Sequence, residues 1–375
     1  MAIKSDNLFW KYNNISSIHI ELSSKCNAAC PGCARFQMNS PIVDPALIQT
    51  EITYETFVKW FPKDLLPQIY NWILCGTLGD PLACKDIYEI LEYICEHSPG
   101  NIQINTNGGL RNKTLYSKIG KLFSEKRNYN GVTPHRVITF SIDGLEDTNH
   151  IYRRNVKWNA VWKNLMAYVE TGAEAHWDFL QFKHNHHQIE TAKKLAQKYG
   201  IIFVLKNPFG VDRTAMPVYN KKLEFEYAIE HAVNHEFPPY VPAGIEYRAP
   251  FPILPIKQEG SITCMAKRNA PYPYHEKEIT EIFVDVLGRV LPCCFVGNRL
   301  FIRHTSDAIQ VQQIQENMRN KNNLHYYCLE EILNNKELEI WKKSWKNKDI
   351  AICWNQCGKN NSKERHIDTL LKDST

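Results

Sequence analysis

The 375-residue chain predicts a parallel β/α fold. Short apolar runs alternate six times with helix-period segments before Leu205, the pattern of a parallel sheet with covered faces. Loops rich in Gly, Asn, Asp and Cys follow several of those runs, and in β/α barrels the functional groups gather at the C-terminal ends of strands. A hydrophobic fraction of 43% and 18 tyrosines supply enough apolar surface for a substantial core.

Taken in order, Ile18–Leu22 reads as the first strand and is followed by a cysteine-bearing loop. Tyr54–Tyr70 reads as a helix interrupted at Phe61-Pro62 and Leu66-Pro67, because proline removes a helix donor. Asn71–Cys75 is a short strand leading into Gly76-Thr77-Leu78-Gly79-Asp80-Pro81. Asp86–Glu96 carries Ile87, Ile90, Leu91 and Ile94 at helical spacing. The strand Ile102–Thr106 ends in the turn Asn107-Gly108-Gly109, and a helix over Lys113–Ser124 follows. Val137–Ile142 is a strand ending at Asp143-Gly144. Trp158–Glu170 is a helix, Ala175–Phe182 a strand, Gln188–Lys198 a helix stopped by Gly200, and Ile201–Leu205 the next strand. Phe237–Ile256 is proline-rich and reads as a linker or covering loop. A second module from about Ser261 contains a hairpin (Glu278–Val284 with Arg289–Leu291) and helices near Leu329–Leu333 and Glu337–Trp345. The expected domains are therefore 14–212, a connecting segment 213–258, and 259–375.

Cys26, Cys30 and Cys33 stand at C-x3-C-x2-C just after the first strand. A [4Fe–4S] cube normally takes four thiolates, so three close cysteines leave one iron open. An open metal position is what catalytic sites keep. A zinc knuckle or three unrelated buried thiols are the alternatives, but zinc needs a nearby fourth ligand, and no Cys or His follows before Cys75. The spacing after a first strand resembles the radical S-adenosylmethionine (SAM) superfamily. That resemblance implies a partial (β/α)6 TIM-like barrel, a SAM-binding [4Fe–4S] cluster on these cysteines, and reductive cleavage of SAM to a 5′-deoxyadenosyl radical.

Further stretches extend the resemblance. Gly76, Gly79 and Asp80 stand where the superfamily has its Gly-Gly-Glu-Pro loop, with Leu78 replacing a glycine. Ser141 and Asp143, then Arg153 or Arg154, match the fourth strand and its loop. The resemblance implies that Gly76, Gly79, Asp80, Asn107, Ser141, Asp143 and Arg153 help bind SAM. Phe182-Lys183-His184-Asn185 resembles a segment at the fifth strand and makes Lys183 or His184 a candidate substrate contact. Metal binding by His184, His186 and His187 is disfavoured by their position across a strand-to-helix junction. Cys264, Cys293, Cys353 and Cys357 resemble the auxiliary-cluster region of SPASM and twitch domains. They imply a second [4Fe–4S] cluster in a smaller C-terminal α+β domain, with Cys294 and Cys328 spare and zinc on the same four thiolates as the alternative. Cys75, Cys84 and Cys95 read as small buried hydrophobes.

The implied activity is hydrogen abstraction from a small-molecule or peptide substrate, with a flavodoxin or ferredoxin as electron donor. Oxidation, peptide or protein modification and cofactor or natural-product synthesis all lie within the range of such enzymes. An iron–sulfur electron-transfer or binding protein without SAM cleavage is the alternative. A zinc-dependent nucleic-acid binder fits poorly, because the net charge of +5 is mild and no basic groove with interleaved aromatics is evident. The lysines of Trp341–Lys348 read as a solvated helix face. No apolar run is long enough to span a bilayer. Met1–Tyr12 lacks the shape of a secretory signal, so the expected address is the cytoplasm.

Overall fold

The computed structural model describes residues 8–37, 39–129, 131–208, 215–230, 232, 262, 264, 266–269, 278–301, 306–347 and 350–357. The proline-rich stretch Phe237–Ile256 and the tail after Lys359 lie outside the described residues.

Strands β1 (Ile15–Ile20), β2 (Asn71–Leu74), β3 (Asn101–Thr106), β4 (Arg136–Ser141), β5 (Ala175–Leu180) and β6 (Ile202–Lys206) run parallel and neighbour one another in chain order. This is the architecture of a partial (β/α)6 barrel. Every residue of β1 is buried, as expected for a strand covered on both faces. β6 is the far edge, and Ile202 and Leu205 are exposed there. The sheet curves: Lys206 and Asp178, on β6 and β5, lie near enough to Cys75, just after β2, to act on its thiol.

Helices Ile87–His97, Lys113–Ser124, Trp158–Val169 and Ile189–Lys198 return the chain between strands. Ile87, Ile90, Leu91 and Ile94 are buried, as their spacing requires. Asn112 caps the second of these helices by accepting from the backbone N–H groups of Thr114 and Leu115. The interrupted segment resolves into a helix Tyr54–Trp60 and a 3-10 turn Leu66–Gln68, with the break at Phe61-Pro62.

Two features depart from the local reading. The connecting segment contains a hairpin, β7 (Met216–Tyr219) with β8 (Phe225–Ile229). In the C-terminal region β9 (Lys267–Asn269), β10 (Glu278–Val284) and β11 (Val290–Leu291) join the main sheet, β10 pairing parallel to β1 from Ile15↔Thr280 to Ile20↔Val284. The C-terminal region is thus tied to the barrel by backbone hydrogen bonds along its first strand. Asp285 forms the β10–β11 turn, its Oδ1 accepting from the backbone N–H groups of Leu287 and Arg289 while Gly288 takes a φ of +79°. Among the described residues no helix is long and apolar enough to cross a membrane.

Candidate active site

The loop after β1 is shaped by contact with the loop after β2. A Cβ on Gly79 would lie 1.8 Å from the carbonyl oxygen of Ser23, and one on Gly76 would lie 2.0 Å from that of Gly79. Only glycine permits that approach. The backbone N–H of Asp80 donates to Lys25 O at 2.9 Å. Buried Arg35 donates from Nη1 to the carbonyls of both Ser24 and Leu78. Glu21, fully buried at the end of β1, accepts from the Leu78 N–H at 2.6 Å. The cysteine loop is therefore held before any ligand arrives.

Within it, the Cys33 N–H donates to Cys30 O at 3.2 Å, and Cys30 lies near enough to raise the thiols of both Cys26 and Cys33. Burial is the largest cause pushing each thiol up, Cys26 to about 12 and Cys33 to about 11. A cationic metal centre reverses that preference by binding the thiolate. Donors already surround the sulfurs. Ala28 N–H lies 3.4 Å and Asn107 Nδ2 3.6 Å from Cys26 Sγ, and Arg153 Nη1 lies 3.7 Å from Cys30 Sγ. Arg35 and Arg153 both favour the thiolate of Cys33. Three thiols with cationic and amide donors fit an anionic iron–sulfur group.

Asp80 is buried, and its carboxylate accepts from Leu82 N–H, Thr106 Oγ1, Asn107 N–H and Asn107 Nδ2, all at 2.9 to 3.0 Å. It reaches the cysteines through Asn107, whose Nδ2 also donates to Asn27 Oδ1 at 2.9 Å. Burial pushes the Asp80 carboxyl up, and the Asn107, Leu82 and Thr106 donors oppose the rise.

Ser141 ends β4 in register with Asp178 of β5. Asp143 is fully buried, accepting from Arg153 Nε at 2.6 Å and from Leu180 N–H at 2.6 Å. Asn185 locks the same corner, donating to Asp143 O and Leu180 O at 2.9 Å each. The Phe182–Asn185 stretch thus contributes a structural asparagine. Lys183 turns to Glu230 at 2.8 Å, with both side chains exposed. His184 stacks on Phe182, its buried Nε2 has no hydrogen-bond partner, and burial lowers it to about 4.

The β7–β8 hairpin covers this edge of the site. A Cβ on Gly32 would lie 3.1 Å from Met216 Sδ, and Asn39 Nδ2 donates to Pro217 O at 3.1 Å. Arg154 binds the hairpin at Tyr219 O and Glu226, leaving Arg153 as the arginine directed at the cysteines.

In the C-terminal region Cys264, Cys293, Cys353 and Cys357 line one small, mainly apolar cleft, together with Pro292, Phe295, Val296, Trp345 and Ile352. Cys353 and Cys357 share a face of the helix Ala351–Cys357 by their i, i+4 spacing. Burial pushes Cys293 up to about 12, with Cys357 adding to it. Cys294 opens the helix Cys294–Arg299, is absent from the cleft lining, and lies near Cys75. Cys328 is exposed and caps the helix Leu329–Asn334 in a capping box with Glu331.

Arg35, Glu21 and Asn27 were not singled out by sequence. Glu21 carried a signal, since Ile18-His19-Ile20-Glu21-Leu22 alternates apolar and polar. Arg35 carried none, because its partners are backbone carbonyls distant in sequence.

No family model matches the chain, and no curated protein matches it. Among solved structures, Streptococcus suis SuiB bound to S-adenosylmethionine is similar at 16% identity and a TM-score of 0.45, over 75% of this chain and 61% of SuiB. BtrN in complex with AdoMet and 2-DOIA is similar at 14% identity and a TM-score of 0.41, over 90% of this chain and 88% of BtrN. Histidine-tagged anSMEcpe with bound AdoMet is similar at 10% identity and a TM-score of 0.46, over 87% of this chain and 80% of that one. The chain spans less than two thirds of the length of SuiB.

Proposed function

We propose that the chain is a radical SAM enzyme with an auxiliary iron–sulfur site. One observation carries the reading. Three cysteines stand on the single loop after β1, with Asn107 and Arg153 donating toward the sulfurs of two of them. Cys26, Cys30 and Cys33 would hold a [4Fe–4S] cluster, leaving one iron for SAM. When bound and reduced, such a cluster would supply the one electron needed to split the SAM sulfonium into methionine and a 5′-deoxyadenosyl radical able to take hydrogen from the substrate.

The chain's own residues would orient SAM. Arg153, fixed by Asp143, is the cation for the SAM carboxylate, and its side chain is 17% exposed, so it is accessible. Gly76 and Gly79 keep backbone polar groups of the β2 loop close to the cysteine loop. Asp80 acts through Asn107 as a positioning residue. Ser141, at the end of β4, would face the SAM ribose or carboxylate. Cys264, Cys293, Cys353 and Cys357 would hold a second [4Fe–4S] cluster that relays an electron or positions substrate. A one-electron donor of the flavodoxin or ferredoxin kind would reduce the first cluster, and the substrate would be a small molecule or peptide.

Anaerobic reconstitution, reduction and incubation with SAM tests the proposal. Wild type should release 5′-deoxyadenosine and Cys30→Ala should not. Undiminished release by Cys30→Ala would refute it.

A further inference from the structure

At the opposite end of the sheet from the cysteine loop, His135 immediately precedes β4, and Glu174 and His176 stand at the start of β5. Nε2 of His135 and Nε2 of His176 each lie 2.7 Å from the same oxygen, Glu174 Oε1. The three potential ligand atoms all fall within 4.8 Å of one another. We infer that His135, Glu174 and His176 form a binding site for a divalent first-row metal ion of the zinc class.

Three aspects of the placement favour a metal. Two imidazoles and one carboxylate form a donor set with which zinc keeps a fourth, exchangeable position. At Zn–N and Zn–O bonds of about 2.0–2.2 Å, tetrahedral ligand atoms stand roughly 3.3 Å apart. The two His–Glu174 pairs therefore need to open by about 0.6 Å from their present 2.7 Å, and the two imidazole nitrogens already lie within 4.8 Å of each other. The backbone is also pre-arranged. Glu174 and His176 are two apart, where an extended chain places both on one face. His176 pairs in register with Thr139 of β4, and the His135 N–H is anchored to Asn101 Oδ1 of β3 at 2.8 Å.

The competing arrangement is two imidazole N–H groups donating to one carboxylate with no ion involved. A metal must displace those protons, so the two states exclude each other. A bound ion would tie together the entries of β4 and β5, at the barrel face where residues serve stability.

The test uses the full chain with its iron–sulfur sites loaded anaerobically, stripped of adventitious metal and titrated with zinc. The expected result is one zinc per chain, with nitrogen and oxygen scatterers near 2.0 Å at the zinc absorption edge and a raised unfolding midpoint. Glu174→Ala and His135→Gln, with iron content unchanged, should each weaken zinc binding by at least about tenfold and abolish the midpoint shift. Zinc with sulfur scatterers near 2.3 Å, binding undiminished in both variants, or no binding by wild type would each overturn the inference.

Discussion

The two cysteine sites are built by opposite means. Cys26, Cys30 and Cys33 come from one eight-residue stretch, and the groups around them are polar: Asn107, Arg153, Arg35 and, behind them, Asp80 and Asp143. Cys264, Cys293, Cys353 and Cys357 come from three distant segments, and they share a cleft with Phe295, Val296, Trp345 and Ile352. A loop already clamped to its neighbours can hold an incomplete ligand set and present an open position beside hydrogen-bond donors. A cleft gathered from distant segments gains its order from filling all its ligand positions, so there ligation is also folding energy. On the reading proposed above, the first site would perform chemistry and the second would close structure around an electron relay.

Removing a ligand from each site should separate these roles most sharply. Cys30→Ala should abolish 5′-deoxyadenosine formation and lower iron from about eight to about four per chain, while leaving the C-terminal region as protease-resistant as in wild type. Cys353→Ala should also leave about four irons, yet the first site should still load. Limited proteolysis should then cut beyond Gly260. Equal protease sensitivity in the two variants would erase the distinction.

The clamp around the first site is the next target. Asp143→Ala strands Arg153, and breaking a buried ion pair costs about 3–5 kcal/mol. Denaturant melts of the cluster-free protein should read that loss. Gly79→Ala drives a Cβ into the Ser23 backbone, which cannot rotate away. A loss of about 1–3 kcal/mol is expected, with poorer cluster loading. Full stability and full loading would show that the two loops need not approach so closely.

A pH dependence offers a third handle. Burial raises Glu21 from an ordinary 4.5 to about 8. Between those values the folded protein keeps a proton that the unfolded chain has released, so stability falls as pH rises across that window. Glu21→Gln should flatten this slope in melts at several pH values. An unchanged slope would remove Glu21 as its source.

Local pattern reached the alternating strands and helices because each buries one face at a fixed period. The helix Lys113–Ser124 has the expected bounds, β3 begins one residue earlier than expected, and β4 and β6 are each shifted by one residue at both ends. The β1–β10 pairing was not legible, because it joins segments over 260 residues apart by backbone bonds that carry no side-chain signature. The hairpin β7–β8 was hidden in a segment read as a connector. The cysteine loop was legible from spacing. Its supports were only partly so: Asp80 and Asn107 stood out by position, but their bond to each other, and Arg35's grip on two carbonyls, exist only in the folded chain.

Electron paramagnetic resonance of the two reduced single-site variants, with and without SAM, tests the contrast most directly. Cys353→Ala retains the three-cysteine site, and its cluster signal should shift when SAM is added. Cys30→Ala retains the four-cysteine site, and its signal should not move. A SAM-dependent shift in Cys30→Ala with none in Cys353→Ala would contradict the assignment of the open position to the loop after β1.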